Sequence, residues 1–86
     1  MTSITKILQM GPVMPVIVID DSGQAVPLAQ ALLQGGIRTI EITLRTPAAL
    51  DAMQAVATAC PEILVGAGTV TNARLAAQAH DAGAGF

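Results

Sequence analysis

Three short apolar runs recur along the chain, and a helical pattern follows each of them. The runs begin at Val13, Ile37 and Ile63, at nearly equal intervals, and are rich in Val and Ile. Continuous runs of this kind are typical of strands that are buried on both faces of a parallel sheet. Each interval is long enough for a helix that crosses over from one strand to the next, and such crossovers are right-handed. The repeat therefore predicts an α/β fold with parallel strands.

Capping signals predict the ends of the helices that follow the runs. Thr46 offers an N-cap hydroxyl and Pro47 fits the first helical position, so the second helix is predicted to begin there. Asn72 or Thr71 is predicted to cap the third helix. Glycine favours helix C-termini and proline cannot continue a helix. The residues that end the helices on these grounds are Gly35, Gly36, Pro61 and Gly83.

The number of repeats predicts that the chain is part of a larger domain. Three units fit into the 86 residues, and Gly85 and Phe86 look like the beginning of a fourth strand. A short, regular repeat suits an open sheet as well as a barrel, and eight units would make about 200 residues, the lower end of the (β/α)₈ range. Three units alone would leave both sheet edges unpaired. Residues 1–86 are therefore predicted to be the N-terminal segment of one larger domain, incomplete by itself.

The composition excludes several classes of protein. The chain is 52% hydrophobic with a net charge of −2, which argues against disorder. Its four Lys and Arg are scattered and its aromatic content is 1%, so no nucleic-acid partner is expected. The run that begins at Val13 is far shorter than the about 20 residues that cross a bilayer, so no membrane association is expected. A single Cys60 and a single His80 make no metal set, and the lone thiol favours a cytoplasmic location.

Glu41 is the first candidate for chemistry, because it interrupts the apolar second run. Carboxylates are depleted in strands and are rarely buried without a partner. In a barrel, a carboxylate near the C-terminal end of a strand can act as a proton carrier. The alternative is a structural carboxylate that pairs with Arg38 or Arg45.

Two further candidates follow the second and third runs. The planar guanidinium of Arg45 suits a substrate carboxylate or phosphate, and the alternative is a solvated loop cation. The segment Gly66–Val70 (GAGTV) would let the backbone approach a ligand closely, with Thr69 donating a hydroxyl. A structural tight turn is the alternative there, and Thr71 replaces the third glycine of a dinucleotide-binding motif.

The segments Glu41–Thr46 (EITLRT) and Val65–Val70 (VGAGTV) together resemble a known family. This is the bacterial 2-dehydro-3-deoxy-phosphogluconate (KDPG) aldolase family, also called 4-hydroxy-2-oxoglutarate (KHG) aldolase, and the similarity extends over nearly the whole chain. The resemblance implies the N-terminal portion of a (β/α)₈ TIM barrel, about three βα units plus an N-terminal helix. It also implies a homotrimeric class I aldolase that needs no metal or cofactor.

The resemblance further implies a reaction and assigns roles in it. Such aldolases cleave KDPG to pyruvate and glyceraldehyde 3-phosphate, and 4-hydroxy-2-oxoglutarate to pyruvate and glyoxylate, through a Schiff base on a lysine. Glu41 would transfer protons, and Arg45 and Thr69 would bind the carboxylate of the keto acid. The family's lysine and phosphate-binding loops lie on later strands. Because the only lysine, Lys6, belongs to the N-terminal helix, the chain alone is expected to be inactive.

Two other functions stay open at this point. A related aldolase acts on the galactonate-derived substrate with the same barrel, although Arg45 favours the gluconate type. A non-enzymatic partial barrel could instead associate through its unpaired strand edges.

Overall fold

The computed structural model describes residues 2–86. Helices and strands alternate along this part of the chain, with a short 3₁₀ turn at Ser22–Gln24. The elements are α1 (Ile4–Gln9), β1 (Val16–Ile17), α2 (Ala25–Gln34), β2 (Thr39–Thr43), α3 (Ala49–Ala59), β3 (Leu64–Gly68) and α4 (Ala73–Asp81). None of the helices within residues 2–86 combines the length and the apolar character that crossing a membrane requires.

The three strands form one parallel sheet in the order β1-β2-β3. Val16 pairs with Glu41, and Glu41 pairs with Gly66 on the other side. Further along, Thr43 pairs with Gly68. The sequence prediction of parallel strands joined by helices is confirmed.

The core lies between one face of this sheet and the helices. Ile40 and Ile42 of β2 and Val65 of β3 are buried on that face, because alternate strand residues point to the same side. Met53 and Val56 of α3 pack against them without exposed surface. The helices therefore cover only one side of the sheet.

The opposite face carries the alternate strand residues, and the exposure of β1 differs there from the prediction. Val16 and Val18 are 61% and 53% exposed, whereas Ile19 is buried against the helices. The prediction that the first run is buried on both faces is therefore wrong for residues 2–86. The assigned strand is also limited to Val16–Ile17, preceded by Pro15, which has no N–H to donate.

The start of α3 also differs from the prediction. The helix begins at Ala49, and Thr46 does not cap it. The Thr46 hydroxyl instead donates to the carbonyl oxygen of Ile19, just beyond β1. The reason is that the loop after β2 passes close to the end of β1, where a backbone acceptor competes for this hydroxyl.

The other predicted caps agree with the structure. The side chain of Asn72 accepts a hydrogen bond from the Leu75 amide at 2.8 Å and so caps α4. Gly36 and Gly83 follow α2 and α4 with φ of +88° and +105°, values that glycine adopts without steric cost. The prediction of helix ends at these glycines is confirmed.

Residues Gly85 and Phe86 run beside β3 on the side away from β2. The Gly85 amide donates to the Val65 carbonyl at 2.7 Å, and the Ala67 amide donates to the Phe86 carbonyl at 2.9 Å. These bonds agree with the predicted beginning of a fourth strand. The Thr2 amide in turn donates to the Gly85 carbonyl at 3.0 Å, which brings the segment before α1 to the same place.

Candidate functional site

The candidate site lies at the edge of the sheet where β2 and β3 end. Because the strands are parallel, residues that follow β2 and β3 emerge at the same edge. Glu41 lies within β2 on the face away from the helices and is half-buried, while its neighbours Ile40 and Ile42 are fully buried in the core. Arg45 and Thr69 are both exposed; Arg45 lies two residues after β2, and Thr69 follows β3 directly.

The side chain of Glu41 lies over the backbone of Gly68. A methyl carbon at the position of the missing Gly68 side chain would lie 2.8 Å from Cδ of Glu41 and 3.1 Å from Cγ, and closer still to Oε2. The backbone partner of Glu41 is Gly66, not Gly68. The carboxylate is therefore displaced along β3 toward its C-terminal end.

The aromatic ring of Phe86 lies over Gly66. A methyl carbon there would come within 2.5 Å of Cδ2 of the ring. Gly66 and Gly68 thus form two recesses on the same face of β3, one occupied by Phe86 and the other by Glu41.

Arg45 and Thr69 are in direct contact. The Arg45 Nε donates a hydrogen bond to Thr69 Oγ1 at 3.1 Å, which joins the loops after β2 and β3. Within residues 2–86 this is the only hydrogen bond that the guanidinium makes, so its two terminal amino groups are available to an anion. A planar guanidinium can bind a carboxylate with two parallel hydrogen bonds.

The backbone of Thr69 is strained. Its φ is +57°, and no other non-glycine residue in the described range has a positive φ. A β-branched residue in this region is a genuine outlier, and residues of this kind cluster at binding and catalytic sites. The backbone conformation of Thr69 therefore indicates a functional position, independently of its contact with Arg45.

The alternative interpretation of Glu41 as an ion-paired strand residue finds no support in the contacts. Across residues 2–86, one ion-pair contact is present, and it joins His80 to Asp81 at 3.9 Å. Arg45 is turned toward Thr69 instead. The described residues also contain no group of three His, Cys, Asp or Glu side chains close enough to hold a metal ion.

The sequence interpretation missed two features of the site. Thr43 is buried on the same face as Glu41, and its hydroxyl donates to the Ile17 carbonyl at 3.3 Å, which ties β2 to β1. The second feature is the recess at Gly68, which the Glu41 side chain occupies. Only the register of β2 against β3 reveals this neighbour.

Comparison with known proteins decides the family. The model of the KDPG and KHG aldolase family matches residues 4–86, nearly the whole chain. The chain belongs to this family. The 2-dehydro-3-deoxy-phosphogluconate aldolase of Pseudoalteromonas atlantica is 56% identical over 80 residues, which cover 93% of this chain and 37% of that protein. The chain thus spans about two-fifths of the length of the curated relatives it matches.

Solved structures of KDPG aldolases share the fold. The enzyme from Zymomonas mobilis matches with a TM-score of 0.92 and 46% identity, covering 99% of this chain and 41% of that one. The enzyme from Legionella pneumophila, which holds pyruvate as a covalent carbinolamine intermediate, matches with a TM-score of 0.91 and 42% identity, covering 96% and 40%. The predicted fold class, a portion of a TIM barrel, is confirmed, as is the family resemblance.

Proposed function

We propose that residues 1–86 form the N-terminal segment of a single (β/α)₈-barrel domain that acts as a class I aldolase. Its substrate is KDPG, cleaved to pyruvate and glyceraldehyde 3-phosphate, with cleavage of 4-hydroxy-2-oxoglutarate to pyruvate and glyoxylate as a second activity. The protein is a cytoplasmic homotrimer that uses no metal or cofactor. Family membership and the names of the relatives support the aldolase chemistry.

The observation that carries the proposal is the contact between Arg45 and Thr69 at the end of the sheet, next to Glu41. The guanidinium and the hydroxyl supply hydrogen bonds to a carboxylate, and the Arg45–Thr69 bond fixes their relative position. The Glu41 carboxylate lies over Gly68, the residue before Thr69. This arrangement can bind the acid end of a keto acid and place a proton carrier beside its ketone.

In the proposed reaction, a lysine supplied by the rest of the barrel attacks the C2 ketone. The product of this attack is a carbinolamine, the species that the Legionella pneumophila enzyme holds with pyruvate. Glu41 in its protonated form gives a proton to the carbinolamine hydroxyl, which leaves as water. The iminium that remains can accept the electron pair of the C3–C4 bond.

Glu41, now a carboxylate, then takes the proton from the C4 hydroxyl. As this proton leaves, the C3–C4 bond breaks, the C4 oxygen becomes the aldehyde of the released product, and the electron pair passes to the iminium to form an enamine. Glu41 returns the proton to C3, which forms an iminium again. Water adds to this iminium and gives a proton to Glu41, and collapse of the resulting carbinolamine releases pyruvate and restores the lysine. A positioned acid–base group of this type contributes about 10²–10⁴-fold to a rate.

A chimera tests the proposal. This chain replaces the matching segment of the Legionella pneumophila aldolase, whose fold it shares. We expect the chimera to cleave KDPG and to form a borohydride-trappable adduct with pyruvate, while the host enzyme without the matching segment does neither. A chimera that does not fold, or that folds without cleaving KDPG, would contradict the proposal.

The same chimera separates the two aldolase substrates. We expect faster cleavage of the gluconate-derived substrate than of its C4 epimer from galactonate, because Arg45 favours the gluconate type. The opposite preference would assign the chain to the galactonate-type aldolases.

A further inference from the structure

We propose that Gly68 is a positioning residue for Glu41: the absence of a side chain at Gly68 creates the recess in which the carboxylate is held at the end of the sheet. The inference deepens the proposed function and rests on it, because it concerns the proton carrier of that reaction. Gly68 has no side chain that could transfer a proton, so its proposed effect on the reaction is through Glu41.

The first step is the fit between the two residues. Any side chain at position 68 would overlap Glu41, because a methyl carbon there would lie 2.8 Å from its Cδ. Carbon atoms that are not bonded prefer separations of about 3.5–4.0 Å. An alanine at this position would therefore displace the carboxylate from its place.

The second step is the direction in which Glu41 leans. Its backbone partner on β3 is Gly66, and the ring of Phe86 fills the space over that glycine. The Glu41 side chain lies instead over Gly68, toward the contact between Arg45 and Thr69. Phe86 fills the space over Gly66, and Gly68 leaves space free beside it. Together they place the Glu41 carboxylate near the keto-acid site.

The third step is that alanine at position 68 is compatible with the backbone. Gly68 lies in β3, and its φ is not among the positive glycine values of the described residues. The atoms that a methyl group would meet are at the end of the flexible Glu41 side chain. Rotation of Glu41 can relieve the overlap, so the substitution is expected to move the carboxylate while preserving the fold.

The experiment is a double-mutant cycle in the chimera with Gly68→Ala and Glu41→Gln. Displacement of a catalytic group by about 1 Å can lower a rate about 10²-fold. We expect Gly68→Ala to lower kcat for KDPG cleavage by about 10–100-fold, with little change in KM and with the adduct between lysine and pyruvate still trapped by borohydride. If Gly68 acts through Glu41, adding Gly68→Ala to Glu41→Gln causes no further loss.

Gly85→Ala is the matched control. It also adds one methyl group beside β3, and that carbon would lie 2.6 Å from Cδ1 of Leu64, again at the end of a flexible side chain. Because it does not meet Glu41, we expect kcat close to that of the unmodified chimera.

The outcomes separate this inference from the proposed function. If Glu41→Gln lowers kcat but Gly68→Ala does not, the inference is overturned and the proposed function stands. Equal losses from Gly68→Ala in both backgrounds would show a general structural role and would also overturn it, as would an unfolded Gly68→Ala chimera. Normal kcat in the Glu41→Gln chimera would overturn the role of Glu41, and this inference with it.

Discussion

Arg45 donates a hydrogen bond to Thr69 across the gap between two neighbouring strand ends, with 3.1 Å between Nε and Oγ1. Both side chains are exposed, and a typical intramolecular hydrogen bond contributes only about 0.5–1.5 kcal/mol to stability. The main consequence of the contact is geometric: it orients the terminal amino groups of the guanidinium. We therefore expect substitutions here to affect ligand binding more than folding.

Arg45→Ala should weaken pyruvate binding to the chimera more than Arg45→Lys does. Lysine keeps the positive charge but loses the planar pair of donors that matches a carboxylate. The measurement is the pyruvate concentration that gives half-maximal borohydride trapping. Arg38→Ala is the control, because Arg38 is exposed at the opposite end of β2. Equal half-maximal concentrations for all three variants and the unmodified chimera would make Arg45 a loop cation.

Glu41→Gln should lower the rate of KDPG cleavage about 10²–10⁴-fold, the usual contribution of an acid–base group. Glutamine has nearly the same shape but cannot exchange protons, so the pyruvate adduct should still be detectable by mass after borohydride reduction. Glu62→Gln makes the same chemical change at an exposed position before β3 and should leave the rate unchanged. Near-normal cleavage by the Glu41 variant would remove Glu41 from the mechanism.

Thr69→Gly should lower the affinity for pyruvate without the loss of stability that glycine usually causes. The substitution removes the hydroxyl, but it also relieves the strain at a φ of +57°. Left-handed backbone costs an ordinary residue about 1–2 kcal/mol, which offsets the greater entropy of a glycine in the unfolded chain.

Thr71→Gly provides the comparison for that stability measurement. Thr71 is exposed and has no positive φ, so glycine there should lower the thermal midpoint of the chimera by the ordinary amount. If Thr69→Gly lowers the thermal midpoint as much as Thr71→Gly does, the left-handed backbone at Thr69 does not destabilise the folded protein.

The 86-residue chain by itself should cleave no KDPG and should associate with further copies. Its only lysine, Lys6, is exposed on α1, away from the end of the sheet. Val16 and Val18 leave apolar surface open on the face opposite the helices, and exposed strand edges favour pairing with other chains. Sedimentation velocity and borohydride trapping with pyruvate test the two halves. A monomer with cooperative unfolding would contradict the expected association, and cleavage with an adduct on Lys6 would contradict the expected lack of activity.

Features of the fold that depend on local sequence could be predicted. The Asn72 cap and the helix end at Gly36 follow from the chemistry of single residues, and the parallel strands follow from the repeat. Thr46 could not be assigned in this way, because the carbonyl that its hydroxyl contacts belongs to Ile19, distant in sequence. A side chain that could cap a helix can also bond to any other backbone group that the folded chain brings close to it.

The candidate site also combines features that the sequence predicts with features that it does not. Parallel strands bring the ends of β2 and β3 to one edge, so proximity of Arg45 and Thr69 follows from the topology. The position of the Glu41 carboxylate does not follow from the topology. It depends on the strand register, which places Glu41 opposite Gly66, and on the position of the Phe86 ring. Both are properties of three-dimensional packing that no local pattern contains.

The hydrogen bond from Thr2 to Gly85 has a consequence for the order in which the chain folds during synthesis. It joins positions at nearly the two extremes of the described residues. Closing a loop of this length is entropically costly, and Gly85 must leave the ribosome before the contact can form. Among the described residues, the segment before α1 therefore reaches its final contact only after residues 3–84 have been synthesised.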